Sequence, residues 1–359
     1  MHLLFNLNKL TGSFTVLRII ARYTSYYPIA LLTVMLGYFI YKASGAPLSD
    51  YAGYYFGSQA LLQKNYLQVY DTYSLNVLIA EKGFKYVFAS YTPFPPFTSI
   101  VLAPFLLLPV TASKIVFNIF SAGIFLWVVT RAIRYFSIPT RFVWLLTVIF
   151  FIPLRNNIFF GQAYLLLVAL LLEGFVAYKK EKMVVASLLW AVAIVFKLFP
   201  LVIVFFLLVN KKYRQLAYCI GACILLGMVS VVFNGLASWQ YYLFTIFPRA
   251  NSGELNNSYT YLFQSAFMLL KNLFVYDEVQ NPGVFFNSMP LFVFLMACFK
   301  SILLACCVGI TINRKAGSFI SFGGWMTASL LLSPNGSSYS LILLLIPLLS
   351  LANSKPLYV

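Results

Sequence analysis

The sequence predicts an all-α polytopic membrane protein with about ten transmembrane helices, and three observations carry that prediction. Its 359 residues are 62% hydrophobic and 18% aromatic but only 9% charged, against about 25% charged in soluble domains. Apolar runs recur along nearly the whole chain instead of in one stretch, the mark of repeated membrane spans. The basic residues, which bring the net charge to +17, sit in short clusters between those runs, as cytoplasmic loops do. This distribution argues against a nucleic-acid partner and for membrane lipids as the surroundings.

The basic clusters Lys9/Arg18/Arg22, Arg131/Arg134/Arg141, Lys179/Lys180/Lys182, Lys211/Lys212/Arg214, Arg314/Lys315 and Lys355 are assigned to the cytoplasm. Each segment between neighbouring clusters must then cross the membrane an even number of times, which places both termini in the cytoplasm. Spans are expected at 27–41, 114–134, 142–154, 163–178, 183–196, 198–210, 216–233, 286–312, 317–332 and 339–352. The whole of 1–359 reads as a single integral membrane domain with outer loops at about 42–113 and 234–285. Segment 183–210 is short for two spans, so two short helices are expected to meet in an outer turn at Lys197–Pro200. Further outer turns are expected at Arg155–Gln162 and at Ser333–Ser338. Residues 93–112 are apolar but interrupted by Pro93, Pro95, Pro96, Pro104 and Pro109. A full span there would break parity, so they read as a re-entrant or juxtamembrane helix in the first outer loop. No cleavable signal peptide is expected, because the first apolar span begins near Tyr27 after a long polar lead.

The five cysteines lie in apolar stretches and the single histidine is His2, so structural disulfides, histidine catalysis and a metal site of either type are not expected. Of the eight carboxylates, Asp50, Asp71, Glu81, Glu254, Asp277 and Glu278 fall in the two outer loops. Chemistry is therefore expected on the outer face. Asp50, followed by Tyr51, Tyr54, Tyr55 and Phe56, is the first candidate. A carboxylate at the membrane surface beside aromatics is partly desolvated, which raises its basicity and suits a general base; a solvated interfacial aspartate in an aromatic belt is the alternative. Lys197, inside an apolar run, fits an anionic lipid phosphate or, alternatively, snorkels to interfacial water. Arg155 and Arg249 are further outer cations with a plain interfacial alternative. Asp71 is read as a cap on the helix beginning near Thr72. Glu173 is expected to pair with Lys179 or Lys180.

The order of outer elements carries a resemblance. Residues 49–55 read Ser-Asp-Tyr-Ala-Gly-Tyr-Tyr, 69–71 Val-Tyr-Asp, 91–97 Tyr-Thr-Pro-Phe-Pro-Pro-Phe, 160–162 Phe-Gly-Gln and 196–200 Phe-Lys-Leu-Phe-Pro, with Ser333-Pro334 near the end. Over about 45–350 this order resembles glycosyltransferase family 87, the polyprenyl-phosphate-mannose-dependent α-mannosyltransferases of the GT-C superfamily. The resemblance implies a GT-C-like fold and an inverting transfer of a sugar, mannose by the family's description, from a polyprenyl-phosphate donor to an envelope glycan or glycolipid acceptor. It implies Asp50 as general base and Lys197 as partner of the donor phosphate, a role for which the outer cations Arg155 and Arg249 are further candidates. Tyr51, Tyr54, Gln162, Asn335 and Tyr339 become expected substrate contacts, in a multi-pass protein of the inner (plasma) membrane. No cofactor is expected, although a divalent metal stays open. One departure stands out: many members carry a histidine-rich stretch after the late Ser-Pro, whereas 335–340 here is Asn-Gly-Ser-Ser-Tyr-Ser. Either Asn335 or Tyr339 replaces that contact with sugar, or the contact is lost. Two other readings are a transporter or flippase for lipid-linked sugars, which needs intramembrane charge pairs and repeats, and a non-enzymatic partner in glycan assembly.

Overall fold

The computed structural model describes residues 27–255, 259–260, 263–334 and 336–353. The clusters Lys9/Arg18/Arg22 and Lys355, both termini and Asn335 lie outside the described residues. Those described fold into helices with no strand among them, apart from an isolated bridge between Asp277 and Asn281. In chain order they are α1 (Tyr27–Ser44), α2 (Asp50–Leu62), α3 (Tyr66–Tyr70), α4 (Thr72–Glu81), α5 (Thr98–Leu102), α6 (Val110–Tyr135), α7 (Thr140–Ile149), α8 (Phe151–Phe160), α9 (Tyr164–Lys179) and α10 (Met183–Phe196). There follow α11 (Val202–Val209), α12 (Tyr213–Asn234), α13 (Leu236–Tyr241), α14 (Phe247–Asn251), α15 (Ala266–Phe274), α16 (Met289–Ile312), α17 (Gly317–Leu332) and α18 (Leu345–Asn353).

The helices fall close to the expected apolar segments. Among the described residues only α1, α6, α12 and α16 are each long and apolar enough to cross a bilayer, and α7 with α8 makes a fifth if that pair, bent by 53°, is one span, so length and composition support four or five spans and not the expected count of about ten. At 1.5 Å per residue the 14 residues of α10 reach about 21 Å, short of a hydrocarbon core of about 30 Å. The apolar runs 183–210 and 317–352 therefore supply pairs of short helices, and much of their apolar surface meets protein. The central helix α9 is buried on nearly every side, with Leu167, Val168, Leu171, Leu172 and Phe175 inaccessible. By contrast α12 and α16 keep most of their apolar surface exposed, the pattern of lipid-facing helices.

Prolines set the breaks. Pro153 cannot donate to the carbonyl of Ile149, so the helix bends between α7 and α8. Pro200 likewise leaves the carbonyl of Phe196 without its helical donor, and the hydroxyl of Thr98 takes that place at 2.9 Å. The break leaves Lys197 extended at the end of α10. The proline-rich stretch 93–112 forms no full-length helix; α5 runs into a 3₁₀ turn at Ala103–Leu107, and Pro109 precedes α6. Tyr70 and Tyr242 donate to the carbonyls of Phe94 and Pro93 at 2.9 and 3.0 Å, and the Asn234 amide donates to that of Pro96 at 3.0 Å. The segment between α4 and α6 is thereby fixed against α3, α12 and Tyr242.

Asp71 caps α4, accepting from the Ser74 amide at 2.8 Å, and the Ser74 hydroxyl and amide hold its carboxyl below the ordinary carboxylate value. The partner expected for Glu173 is corrected: it pairs with Arg131 of α6 at 3.0 Å. Lys179 and Lys180 lie two turns further along α9 and turn to the Ser318 hydroxyl and the Tyr135 ring.

Candidate active site

Asp50 opens α2, where a carboxylate is favoured by the exposed amides of the first turn. Residues three and four apart on a helix share a face, so Tyr54 lies beside Asp50 while Tyr51 turns away. Gln162 reaches the same point from the end of α8. There Gly161 adopts the left-handed conformation at φ 66°, and the Gln162 amide returns to the carbonyl of Asn157 at 2.7 Å. A Cβ on Gly161 would lie 2.7 Å from that of Tyr51, so both the turn and the packing demand glycine. We expect Gly161→Ala to cost at least about 1–2 kcal/mol and to lower activity by displacing Gln162. Thermal unfolding in detergent and a transfer assay on the same preparation check this; an unaltered melting temperature contradicts it.

A directed chain of hydrogen bonds results. The Tyr54 hydroxyl donates to Gln162 Oε1 at 3.0 Å, and Gln162 Nε2 donates to Asp50 Oδ2 at 2.6 Å. Burial is the main influence on Asp50 and raises its carboxyl above the ordinary value; the Gln162 bond and the charges of Lys197 and Lys114 act in the opposite sense. The group is thus a stronger base than a solvated aspartate, aimed by an amide that donates to its charged form.

Lys197 is buried, which replaces the alternative of a snorkelling side chain. Its Nζ lies 3.6 Å from the ring centroid of Tyr164, 4.5 Å from Phe94 and 6.0 Å from Tyr54. Aromatic faces stabilise an ammonium in a dry site. Among the described residues no ion pair within 4 Å joins Lys197 to Asp50; both line the same cavity.

That cavity holds about 550 Å³. Its lining includes the polar Asp50, Gln162, Tyr164, Lys197 and Tyr339 and the apolar Leu201, Val202, Phe205 and Leu332. Two of its lining residues are exposed, Phe88 before α5 at 76% and Phe205 of α11 at 48%. Tyr339 is held in place by α8, whose Asn157 amide donates to the Tyr339 carbonyl at 2.9 Å while the Asn156 amide donates to the Ser338 hydroxyl at 2.8 Å. Among the described residues no three His, Cys, Asp or Glu side chains gather in a metal-binding arrangement.

Of the expected site residues, Asp50, Lys197, Gln162 and Tyr339 line this cavity and Tyr54 backs it. Three expectations are corrected by placement. Tyr51 points the other way, its hydroxyl 2.7 Å from that of Ser113 and its ring against Phe117. Arg155 is exposed, stacked 4.5 Å over Phe159 and bonded to Asn156. Arg249 pairs with Glu254 at 3.5 Å, although its neighbours Phe247 and Ala250 line the cavity. Sequence reasoning passed over Phe94, Tyr164, Asn157 and Lys114. Of these only Lys114 carried a signal, a charge at the head of an apolar helix.

No curated protein matches this chain, and no solved structure does. A family model described as Glycosyltransferase family 87 matches residues 91–334, a stretch that includes Gln162, Tyr164 and Lys197 but begins after Asp50 and stops before Tyr339. With a match over more than half its length, and with apolar helices suited to a bilayer, the chain is a membrane glycosyltransferase belonging to glycosyltransferase family 87.

Proposed function

We propose that this enzyme moves a sugar, mannose in the first instance, from a polyprenyl-phosphate donor to an envelope glycan or glycolipid acceptor, with inversion. The observation that carries the reading is that Asp50 and Lys197 line one cavity whose lining also includes the apolar Val202 and Phe205 of α11. Asp50 removes the proton from the acceptor hydroxyl as its oxygen attacks the anomeric carbon. The bond from that carbon to the phosphate oxygen breaks, and the departing lipid phosphate carries the electron pair beside Lys197. The apolar lining takes the first part of the lipid tail. Gln162, Tyr164 and Tyr339 hold the sugar, and Lys197 meets the phosphate without Arg155 and Arg249, a reading supported by the contacts of those arginines with Phe159 and Glu254. One displacement gives a product anomer opposite to the donor's.

The test supplies polyprenyl-phosphate mannose or a nucleotide sugar to purified enzyme and assigns the product anomer by NMR. Transfer from the lipid phosphate with inverted configuration is expected; transfer from the nucleotide sugar alone contradicts the reading. A transporter is less well supported, because the helix-to-helix pair Arg131–Glu173 does not line the cavity.

The same reading sets orientation in the inner membrane. The site end of α9 and α10 faces away from the cytoplasm, and the Lys179–Lys182 turn at their other end faces it, with both termini. In a cysteine-free background, cysteines at Lys85 and Arg155 should react with an impermeant reagent added outside, and those at Lys180 and Lys211 only after permeabilisation. Mixed accessibility within either pair sinks this orientation.

A further inference from the structure

Asp50 is held from behind by a second lysine. Lys114 lies in the first turns of α6, is 3% exposed and does not line the cavity. Its Nζ donates to the carbonyl of Pro47 at 2.7 Å, three residues before Asp50. The adjacent Ser113 bonds the hydroxyl of Tyr51 at 2.7 Å and donates to the carbonyl of Phe105 at 2.8 Å. Two successive residues of one helix thus grip the chain on both sides of Asp50. The grip has a reason, because Ser49 stands at φ 51° and its side chain forms no cap on α2. A non-glycine residue there is held by its surroundings.

Charge gives Lys114 a second role. A buried ammonium is costly unless it finds compensation, and one carbonyl satisfies only one of its three donors. Among the described residues no carboxylate pairs with it within 4 Å, and its bond to Pro47 sets it beside the turn that carries Asp50, whose charge acts on it. The groups facing Asp50 are the amide of Gln162, the ammonium groups of Lys197 and Lys114, and the phenols of Tyr54, Tyr164 and Tyr339. The phenols carry no charge at neutral pH. Lys197 looks into the cavity, where an anionic substrate competes for it; Lys114 does not, so its charge stays with Asp50.

We propose that Lys114 is a positioning residue for Asp50, fixing the Pro47–Asp50 turn and supplying a counter-charge that persists when substrate engages Lys197. The catalytic meaning of this role rests on the assignment of Asp50 as base, but the coupling of the two groups does not. The test needs no substrate. Dicyclohexylcarbodiimide, an apolar reagent, adds to protonated carboxyls, and mass spectrometry of the Asp50 peptide follows its labelling against pH. Labelling falls as pH rises and Asp50 ionises. Removing a nearby cation favours the protonated form, so Lys114→Gln should keep labelling to a higher pH than wild type. Lys114→Arg should stay near wild type, and Ser113→Ala, which removes a tether but no charge, should not move the midpoint. An unmoved midpoint in a folded Lys114→Gln protein, or an equal displacement in Ser113→Ala, overturns the proposal. Should Lys114→Gln fail to fold, Asp50→Asn combined with it should restore folding by removing the uncompensated carboxylate; a double variant no more stable than the single one overturns the coupling. Should Asp50→Asn retain full transfer activity, the base assignment fails while the labelling result stands.

Discussion

Asp50→Asn is expected to lower sugar transfer by about 10²–10⁴-fold, the usual cost of losing a general base, without weakening the fold. The asparagine oxygen still accepts the Gln162 bond, now 2.6 Å long, but cannot take up the acceptor proton at neutral pH. Stability should hold or rise. Burial lifts the Asp50 carboxyl above its ordinary value, so its contribution to stability is fully present below the unfolded pKa, near 3.9, and is lost as pH rises through the folded one. At neutral pH the ionised group is a net burden that asparagine removes. Asp71→Asn gives the contrast: as an exposed cap it should change stability by at most about 1 kcal/mol and leave transfer intact. Its lowered carboxyl value places its contribution above the unfolded pKa, to be lost as pH falls through the folded one. Melting curves and transfer rates for the two variants separate catalysis from architecture.

Lys197→Ala carries the second large effect. If the ammonium stabilises the leaving phosphate, its loss should reduce turnover by about 10²–10³-fold and raise the donor KM more than the acceptor KM. Lys197→Arg should rescue only in part. The cage of Tyr164, Phe94 and Tyr54 fits a compact ammonium, whereas a guanidinium is larger and planar. Unchanged donor KM and turnover in a folded Lys197→Ala protein would show that the lysine merely plugs the gap between α10 and α11.

Much of this arrangement was legible because a few residues dictate local geometry. Pro200 forces a break and so brings Lys197 to the end of α10; Asp71 before Thr72 marks a cap; the prolines of 93–109 rule out a long helix. Tyr51 was misjudged although helix geometry contained the answer, since a residue adjacent to Asp50 faces elsewhere and the fourth one on, Tyr54, shares its side. The number of spans was not legible because hydropathy cannot distinguish apolar surface buried against protein, as on α9, from surface facing lipid, as on α12. Contacts between distant segments left no trace: Arg131 with Glu173, Asn157 with Tyr339, and the rings around Lys197 meet only through packing. Lys114 was passed over because nothing local tied it to Pro47.

The central claim is that Asp50 acts as the base, and the pH dependence of kcat/KM tests it most directly when wild type and Asp50→Asn are followed in parallel. Wild-type kcat/KM should fall as pH drops and Asp50 takes up a proton, with a midpoint above the ordinary aspartate value of about 3.9 in keeping with burial of the group. The residual activity of Asp50→Asn should lack that limb. The same acid limb in both proteins would contradict the account and assign the titrating group elsewhere.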